Sequence, residues 1–290
     1  MQALLNGLVS GLLIALPAIA LSLTYGILNF ANFSIGAMVT TGAYLAYIAN
    51  ASFGAPIILA APLAAILLAL IAIVIQRGVY RQIRNADHVT LLVASMGVAF
   101  VLENVIRFFY GADVRTLDVP VARPWLWNGL RLNHEQLLIV VVALSAMAVV
   151  AFLLKRTRLG RAMRAISDDP DLAEVRGIER ARTVEWTWAI SGALTALAGV
   201  MIALDGIIDP MIGMNYLVSV FAAAVIGGIG NLFGAVVGAL IIGLVEETSA
   251  LAVSTTYRQG ISFVVLVLVL LARPQGLFAA CSRRRVHWQG

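Results

Sequence analysis

Charged residues are scarce in this sequence, and their scarcity excludes an ordinary soluble domain. Of 290 residues, 12% are charged and 61% are hydrophobic, whereas soluble domains carry about 25% charged residues. The mean hydropathy is +0.95. A chain with so few charges cannot cover its surface with polar groups, so we expect lipid to surround most of it. The sequence therefore predicts an integral membrane protein.

Residues that carry chemistry are scarce as well. The single cysteine, Cys281, excludes an intrachain disulfide, and the three histidines lie at the ends of apolar segments or in tails. The only acidic cluster is Asp168–Asp171, and the phosphate-binding pattern Gly-x4-Gly-Lys-Ser/Thr does not occur. These absences argue against an intramembrane enzyme and against ATP hydrolysis by this chain. No cofactor or metal site is predicted.

Nine segments are apolar and long enough to be transmembrane helices, since crossing the hydrocarbon core takes roughly 20 residues. The sequence predicts an all-α, polytopic bundle of about nine spans, with eight and ten as the alternatives. We expect one transmembrane domain over 1–279 and a basic cytoplasmic tail over 280–290. The predicted spans cover residues 3–28, 33–49, 56–76, 88–110, 135–154, 184–204, 215–230, 233–251 and 259–273.

Basic residues are unequally divided between the two sets of loops that alternating spans create. Fifteen of the twenty follow the third, fifth or ninth span, and five lie on the other side. Cytoplasmic loops accumulate Arg and Lys, so the net charge of +5 indicates topology rather than a nucleic-acid partner. The bias predicts an external N-terminus and a cytoplasmic C-terminus. The outer segment 111–134 is predicted as a connecting loop, with an interfacial anchor as the alternative.

The cytoplasmic segment 155–183 contains the residue pattern of a short capped helix. Asp169 suits the N-cap, and Pro170 follows at the first helical position, where a missing N–H is tolerated. Glu174 places negative charge near the helix start, and Gly177 suits a left-handed C-terminal cap. The apolar residues expected on one face are Leu172, Ala173, Val175 and Ile178.

Such a short helix is not stable alone in water, so we expect it to dock on another surface. The sequence allows two docking surfaces. One is the inner face of the same chain, and the other is a cytoplasmic partner protein.

The same loop and three other segments resemble one family of bacterial transport proteins. The loop, from Gly160-Arg-Ala-Met-Arg-Ala165 to Gly177-Ile178, is similar to the coupling loop of ATP-binding-cassette (ABC) importer permeases. The nearest resemblance is to the branched-chain amino acid permeases of the LivH type, over about residues 3–279. The other matching segments are Tyr25-Gly-Ile-Leu-Asn29-Phe-Ala31 with Gly42-Ala43-Tyr44, Ala223–Ala235 and Leu271–Phe278.

This resemblance implies the membrane-spanning subunit of an importer in the bacterial inner membrane. The implied partners are cytoplasmic ATPase subunits that hold the ATP, a second permease subunit in a heterodimer, a periplasmic solute-binding protein and membrane lipid. The residues implied in coupling to the ATPase are Asp169, Pro170, Leu172, Ala173, Glu174, Gly177 and Ile178. The alternative function is a self-sufficient carrier or channel for a small solute such as urea or an amide.

One departure from the family concerns the solute. Asn32-Phe33 stands where family members often have a His-Gly pair. If these positions touch the solute, the resemblance points to another amino acid, urea or a short amide as well as to a branched-chain amino acid.

Polar residues at membrane depth are costly and are functional candidates by default. Asn29, Asn32 and Ser34 either line a polar path or satisfy backbone groups at a break between helices. Glu103 stands four residues before Arg107, so an ion pair is favoured over solute binding. The candidate path residues are Tyr25, Asn29, Asn32, Ser34, Glu103 and Asn104.

Glycines recur around the seventh and eighth spans at a spacing that lets helices approach closely. Helix packing is therefore favoured over nucleotide binding for this group. Asn231–Ala235 also echoes Asn32–Ala37, which indicates a possible internal repeat. Glu246 and Glu247 end the eighth span and are expected at the outer interface. The glycines predicted to pack helices are Gly227, Gly228, Gly230, Gly234 and Gly238.

Overall fold

The computed structural model describes residues 1–84, 86–118, 125–127, 130–250, 258–273 and 276–277. Cys281 and the predicted basic tail 280–290 lie outside these ranges. The helix that begins at Ser34 continues as a π-helical turn over Ile48–Ser52, and the helix that begins at Ile57 continues as one over Gln76–Tyr80. The helices are α1 (Gln2–Leu28), α2 (Ser34–Tyr47), α3 (Ile57–Ile75), α4 (His88–Tyr110), α5 (His134–Arg156), α6 (Arg158–Asp168), α7 (Pro170–Val175), α8 (Arg180–Asp205), α9 (Ile212–Gly227), α10 (Leu232–Ser249) and α11 (Arg258–Ala272).

The all-helical, multi-spanning class predicted from the sequence is confirmed. Six of the described helices are long and apolar enough to cross a membrane, namely α1, α3 with its extension, α4, α5, α8 and α10. Helices α9 and α11 are apolar but shorter. Each predicted span coincides with a helix, but the count of nine stays a prediction, as do the orientation of the termini and the internal repeat.

Helices α1 and α8 form the inside of the bundle. In their most apolar stretches 72% and 78% of residues are buried, against 22% in α5 and 33% in α4. Leu16 of α1 packs in one cluster with Leu194 and Met201 of α8. Since α4 and α5 are exposed over most of their surface, they lie at the periphery.

Glycines bring α9 and α10 into backbone contact. A Cβ added at Gly234 would lie 2.0 Å from the carbonyl oxygen of Gly227, and one added at Gly227 would lie 2.1 Å from that of Gly234. Gly238 approaches Ala223 equally closely. Gly228 and Gly230 instead lie in the turn between the helices, with φ of 90° and 89°. The geometry at Gly227, Gly234 and Gly238 is therefore that of close helix packing.

The segment between α4 and α5 contains two short strands where the sequence predicted a loop. Strand β1 (Trp125–Trp127) pairs antiparallel with β2 (Leu130–Leu132). Three-residue strands are too short to show an alternating pattern in sequence. Nearby, Arg115 exchanges two backbone hydrogen bonds with Ile208, at 2.8 and 2.7 Å, which fixes this segment to the connection between α8 and α9.

Glu246 is buried, and the expectation that it reaches the outer interface is wrong. Its side chain is 3% exposed. One carboxylate oxygen accepts from the Ser219 hydroxyl at 2.5 Å and also from the Ser262 hydroxyl. The carboxylate thus joins α9, α10 and α11, because each helix contributes one of the three residues.

Candidate functional site

The cytoplasmic segment folds as the two short helices α6 and α7. Asp169 Oδ1 accepts from the backbone N–H groups of Asp171 and Leu172 at 3.1 and 3.0 Å, which is the predicted N-cap. Pro170 occupies the first helical position. The start of α7 predicted from the sequence is therefore confirmed.

The end of α7 is closed by a left-handed glycine. Gly177 has φ of +82°, its N–H donates to the carbonyl of Glu174 at 2.9 Å, and the N–H of Ile178 donates to the carbonyl of Ala173 at 3.0 Å. The second bond spans six residues, as in a Schellman motif. The helix therefore ends where the glycine was expected to end it.

The apolar residues of α7 do not share one face, contrary to the sequence expectation. Ala173 is 4% exposed and packs with Met163, Val184 and Ile178 in one cluster. On the opposite side, two large apolar side chains face away from the protein, Leu172 at 54% and Val175 at 83% exposure.

Helix α7 is anchored by α6 and α8. Met163 and Ile166 of α6 are buried in the same apolar cluster as Ala173 of α7. Helix α6 is held in turn by α5, since a Cβ added at Gly160 would lie 2.1 Å from the Leu154 oxygen. One half of α7 therefore rests on its own chain. The half with Leu172 and Val175 remains uncovered.

The break between α1 and α2 contains the predicted polar cluster, and part of it is structural. Asn32 and Ser34 are fully buried. Asn32 Oδ1 accepts from the Ser34 N–H at 3.1 Å, from the Ser34 hydroxyl at 2.7 Å and from the Tyr80 hydroxyl at 3.3 Å. These hydrogen bonds satisfy polar groups at the start of α2, as the second interpretation expects, and a role of the two residues in the path stays a prediction.

Asn29 and Tyr25 line an open cavity instead. Asn29 has φ of 54°, and its N–H donates to the Tyr25 carbonyl at 2.8 Å, so Asn29 ends α1 as a left-handed cap. The cavity, of about 540 Å³, lies between this end of α1 and the start of α4, where His88 and Val89 border it. The structure thus brings Tyr25 and Asn29 together but separates them from Asn32 and Ser34.

An exposed stripe runs along α4 from this cavity. It consists of Val89, Val93, Gly97, Phe100 and Asn104, which are all exposed and follow one another at spacings of three or four. At 1.5 Å per residue the α4 stripe is about 22 Å long. The Asn104 side-chain amide donates to the Phe100 carbonyl at 2.7 Å.

Glu103 makes the predicted ion pair within α4. Its carboxylate oxygen Oε1 lies 2.7 Å from Nη2 of Arg107, and its side chain is 7% exposed. The pairing favoured from the four-residue spacing is confirmed.

Comparison with known proteins shows which protein family this chain resembles. Residues 3–270 match the family described as branched-chain amino acid transport system, permease component. The chain is 32% identical over 297 residues to the high-affinity branched-chain amino acid transport system permease protein LivH of Escherichia coli strain K12, covering 96% of this chain and 94% of that protein. It is 33% identical over 293 residues to the permease protein BraD of Pseudomonas aeruginosa, covering 96% and 95%.

The chain belongs to this permease family. The resemblance noted in the sequence is thereby confirmed, and the relatives are transport subunits rather than enzymes.

A solved structure supports the fold of the permease independently. PsaBC from Streptococcus pneumoniae, solved in complex with Fab, contains a chain that matches with a TM-score of 0.52 at 11% identity. The match covers 95% of the permease and 93% of that chain. At this identity the likeness concerns the fold alone.

Proposed function

We propose that this permease forms half of the translocation path of an ATP-driven importer in the bacterial inner membrane. The observation that carries the proposal is α7. This helix is capped at both ends and anchored on one side, and it presents Leu172 and Val175 on the other. Exposed apolar pairs on an ordered helix are suited to a partner's groove. A cytoplasmic ATPase subunit would cover them and move α7 as it binds and hydrolyses ATP.

The remaining partners follow from the family. A second permease subunit, in a heterodimer, completes the path, and a periplasmic solute-binding protein delivers the solute. The relatives carry the name of a transport system, which supports an assembly of several components. The excess of basic residues on the side of α7 supports a cytoplasmic position for it, with the N-terminus outside.

The α4 stripe is the part of this chain that we assign to the path. An amide such as that of Asn104 is costly on a helix surface that faces lipid. A water-filled path between two permease subunits removes that cost, and the cavity lined by Tyr25 and Asn29 then forms the cytoplasmic exit. The ion pair of Glu103 and Arg107 lies within the same helix and engages the Glu103 carboxylate.

The solute is proposed to be an amino acid, and a branched-chain one first. The departure at Asn32-Phe33 does not oppose this, because neither residue borders the cavity. Asn32 is buried in structural hydrogen bonds. The Phe33 ring stacks on Phe221 at 4.7 Å between centroids, and its N–H donates to the Ser95 hydroxyl at 3.1 Å.

Buried carboxylates are the feature by which the alternative, a self-sufficient carrier, can be judged. Ion-coupled carriers keep buried carboxylates inside the membrane, and this chain has two buried glutamates, Glu103 and Glu246. Both have partners in the structure, since Glu246 accepts from two serines and Glu103 pairs with Arg107. Both carboxylates are therefore engaged in structural contacts, which supports the importer over the carrier.

Reconstitution separates the two functions. The permease is placed in liposomes alone, and in parallel together with its ATPase, the second permease subunit and the binding protein, and uptake of radiolabelled leucine is measured. The importer predicts uptake only in the complete assembly with ATP on the ATPase side. Uptake by the permease alone, driven by a proton or sodium gradient without ATP, would contradict it.

A further inference from the structure

A second, smaller cavity lies at the ends of α3 and α8 on the same side of the bundle as α7. Its volume is about 80 Å³, more than twice the roughly 30 Å³ that one water molecule occupies in the liquid. Apolar side chains form part of its wall. Its polar lining consists of Gln76, Tyr80, Arg81, Arg84 and Arg180.

The three arginines bring positive charge to the cavity. Arg81 and Arg84 lie in the turn that follows α3, and Arg180 is the first residue of α8. Within the described part of the chain, none of them forms an ion pair. Glu185 lies within electrostatic reach of Arg81. Its two oxygens, however, accept from Arg77 at 2.9 and 2.8 Å, so this carboxylate is already engaged.

The start of α8 adds to the positive potential. Arg180 and Ala181, its first two residues, line the cavity, and Glu179 at the N-cap makes no side-chain capping bond. The first N–H groups of a helix have no partner within the helix. The helix dipole also places partial positive charge at this end. Both effects attract an anion.

The cavity also holds a buried polar group that lacks a partner. Gln76 is 4% exposed, and its amide oxygen accepts no hydrogen bond from the described residues. A half-turn of the amide would direct its two N–H donors to the same point. A buried amide of this kind requires a partner, and in the turned orientation its N–H groups can donate to the oxygen atoms of an anionic ligand.

We propose that this cavity binds a phosphate group, either the headgroup phosphate of an anionic phospholipid or free phosphate. Guanidinium groups match phosphate geometry with paired hydrogen bonds, and basic pockets between spanning helices bind anionic headgroups on the cytoplasmic side. The ligand would join the α3–α4 turn, through Arg81 and Arg84, to the start of α8 at Arg180. Phosphate binding does not depend on the transport proposal, which enters only in assigning the cavity to the cytoplasmic surface.

Native mass spectrometry of the purified permease in detergent tests the proposal. The protein is titrated with dioleoylphosphatidylglycerol, with dioleoylphosphatidylcholine, and with inorganic phosphate. The cavity variant carries Arg81→Gln, Arg84→Gln and Arg180→Gln. The control variant carries Arg158→Gln, Arg161→Gln and Arg182→Gln, which remove the same charge from the same side of the bundle outside the cavity.

We expect phosphatidylglycerol to bind the wild type and the control variant, and to bind the cavity variant about 100-fold more weakly. If inorganic phosphate binds and displaces the lipid, the ligand is free phosphate. If lipid binding persists in phosphate, the ligand is a headgroup. Equal losses in the two triple variants, or equal binding of the two lipids without binding of phosphate, would overturn the proposal. Arg84→Gln alone, at an exposed position, is expected to weaken binding about fivefold and serves as the readout if the triple variant does not fold.

Discussion

Replacing Leu172 and Val175 together with serine perturbs the uncovered side of α7 and little else. Both side chains face away from the protein, at 54% and 83% exposure. The caps at Asp169 and Gly177 are unchanged, and Ala173 keeps its buried contacts. The fold of the cytoplasmic segment should therefore survive while the proposed contact with the ATPase is lost.

The size of the loss follows from the exposure. Fully burying a leucine or valine side chain is worth about 1.5–3 kcal/mol. With 54% and 83% of the two residues still exposed, a partner that covers both adds about 2–4 kcal/mol of binding free energy. Since every 1.4 kcal/mol is a factor of ten, we expect the double variant to bind the ATPase at least about 30-fold more weakly.

The assay is the affinity of the detergent-purified permease for its ATPase, measured by biolayer interferometry, together with stimulation of ATP hydrolysis. A matched control replaces Phe53 and Ile207 with serine. These residues are exposed to nearly the same extent, 79% and 55%, but lie at the opposite end of the bundle. If the α7 double variant bound the ATPase as tightly as the control, α7 would not be the contact.

Three further changes test other parts of the structure. Gly234→Ala places a Cβ 2.0 Å from the Gly227 oxygen, so we expect it to destabilise the protein by about 1–3 kcal/mol and to lower the melting temperature in detergent. The control Gly260→Ala, whose added Cβ meets nothing within 4 Å, should be neutral or slightly stabilising. Equal melting temperatures of the two variants would refute the close α9–α10 contact. Asp169→Ala removes the N-cap of α7 at a cost of about 1 kcal/mol, and faster hydrogen exchange at Asp171 and Leu172 than in the wild type should report it. Asn104→Leu should slow solute uptake by the reconstituted importer while leaving assembly intact. The control Ser145→Leu, at an exposed polar position of the peripheral helix α5, should leave the uptake rate unchanged. A normal uptake rate for Asn104→Leu would show that the α4 stripe does not line the path.

The features predicted well from the sequence are those with local causes. The boundaries of α7 depend on Asp169, Pro170 and Gly177, whose cap and backbone preferences act within a few residues. The Glu103–Arg107 pair depends on a four-residue spacing along one helix. The apolar segments follow from composition alone.

The features that were missed depend on contacts between distant segments. The sequence of a helix as short as α7 does not reveal which side of the helix will be covered. The covered side is set by contacts with Met163 of α6 and Val184 of α8. Glu246 was placed at the interface because it ends a span. Its burial depends on Ser219 and Ser262, which only the packing of three helices brings to it.

The central claim is that α7 lies in the cytoplasm and rests against a second protein. The sole cysteine, Cys281, is replaced with serine, and Val175→Cys is introduced for labelling with a membrane-impermeant maleimide. We predict no labelling in intact spheroplasts, full labelling in inverted membrane vesicles stripped of the ATPase, and protection when the ATPase is restored. Labelling of Val175→Cys from the outside of spheroplasts would contradict the account.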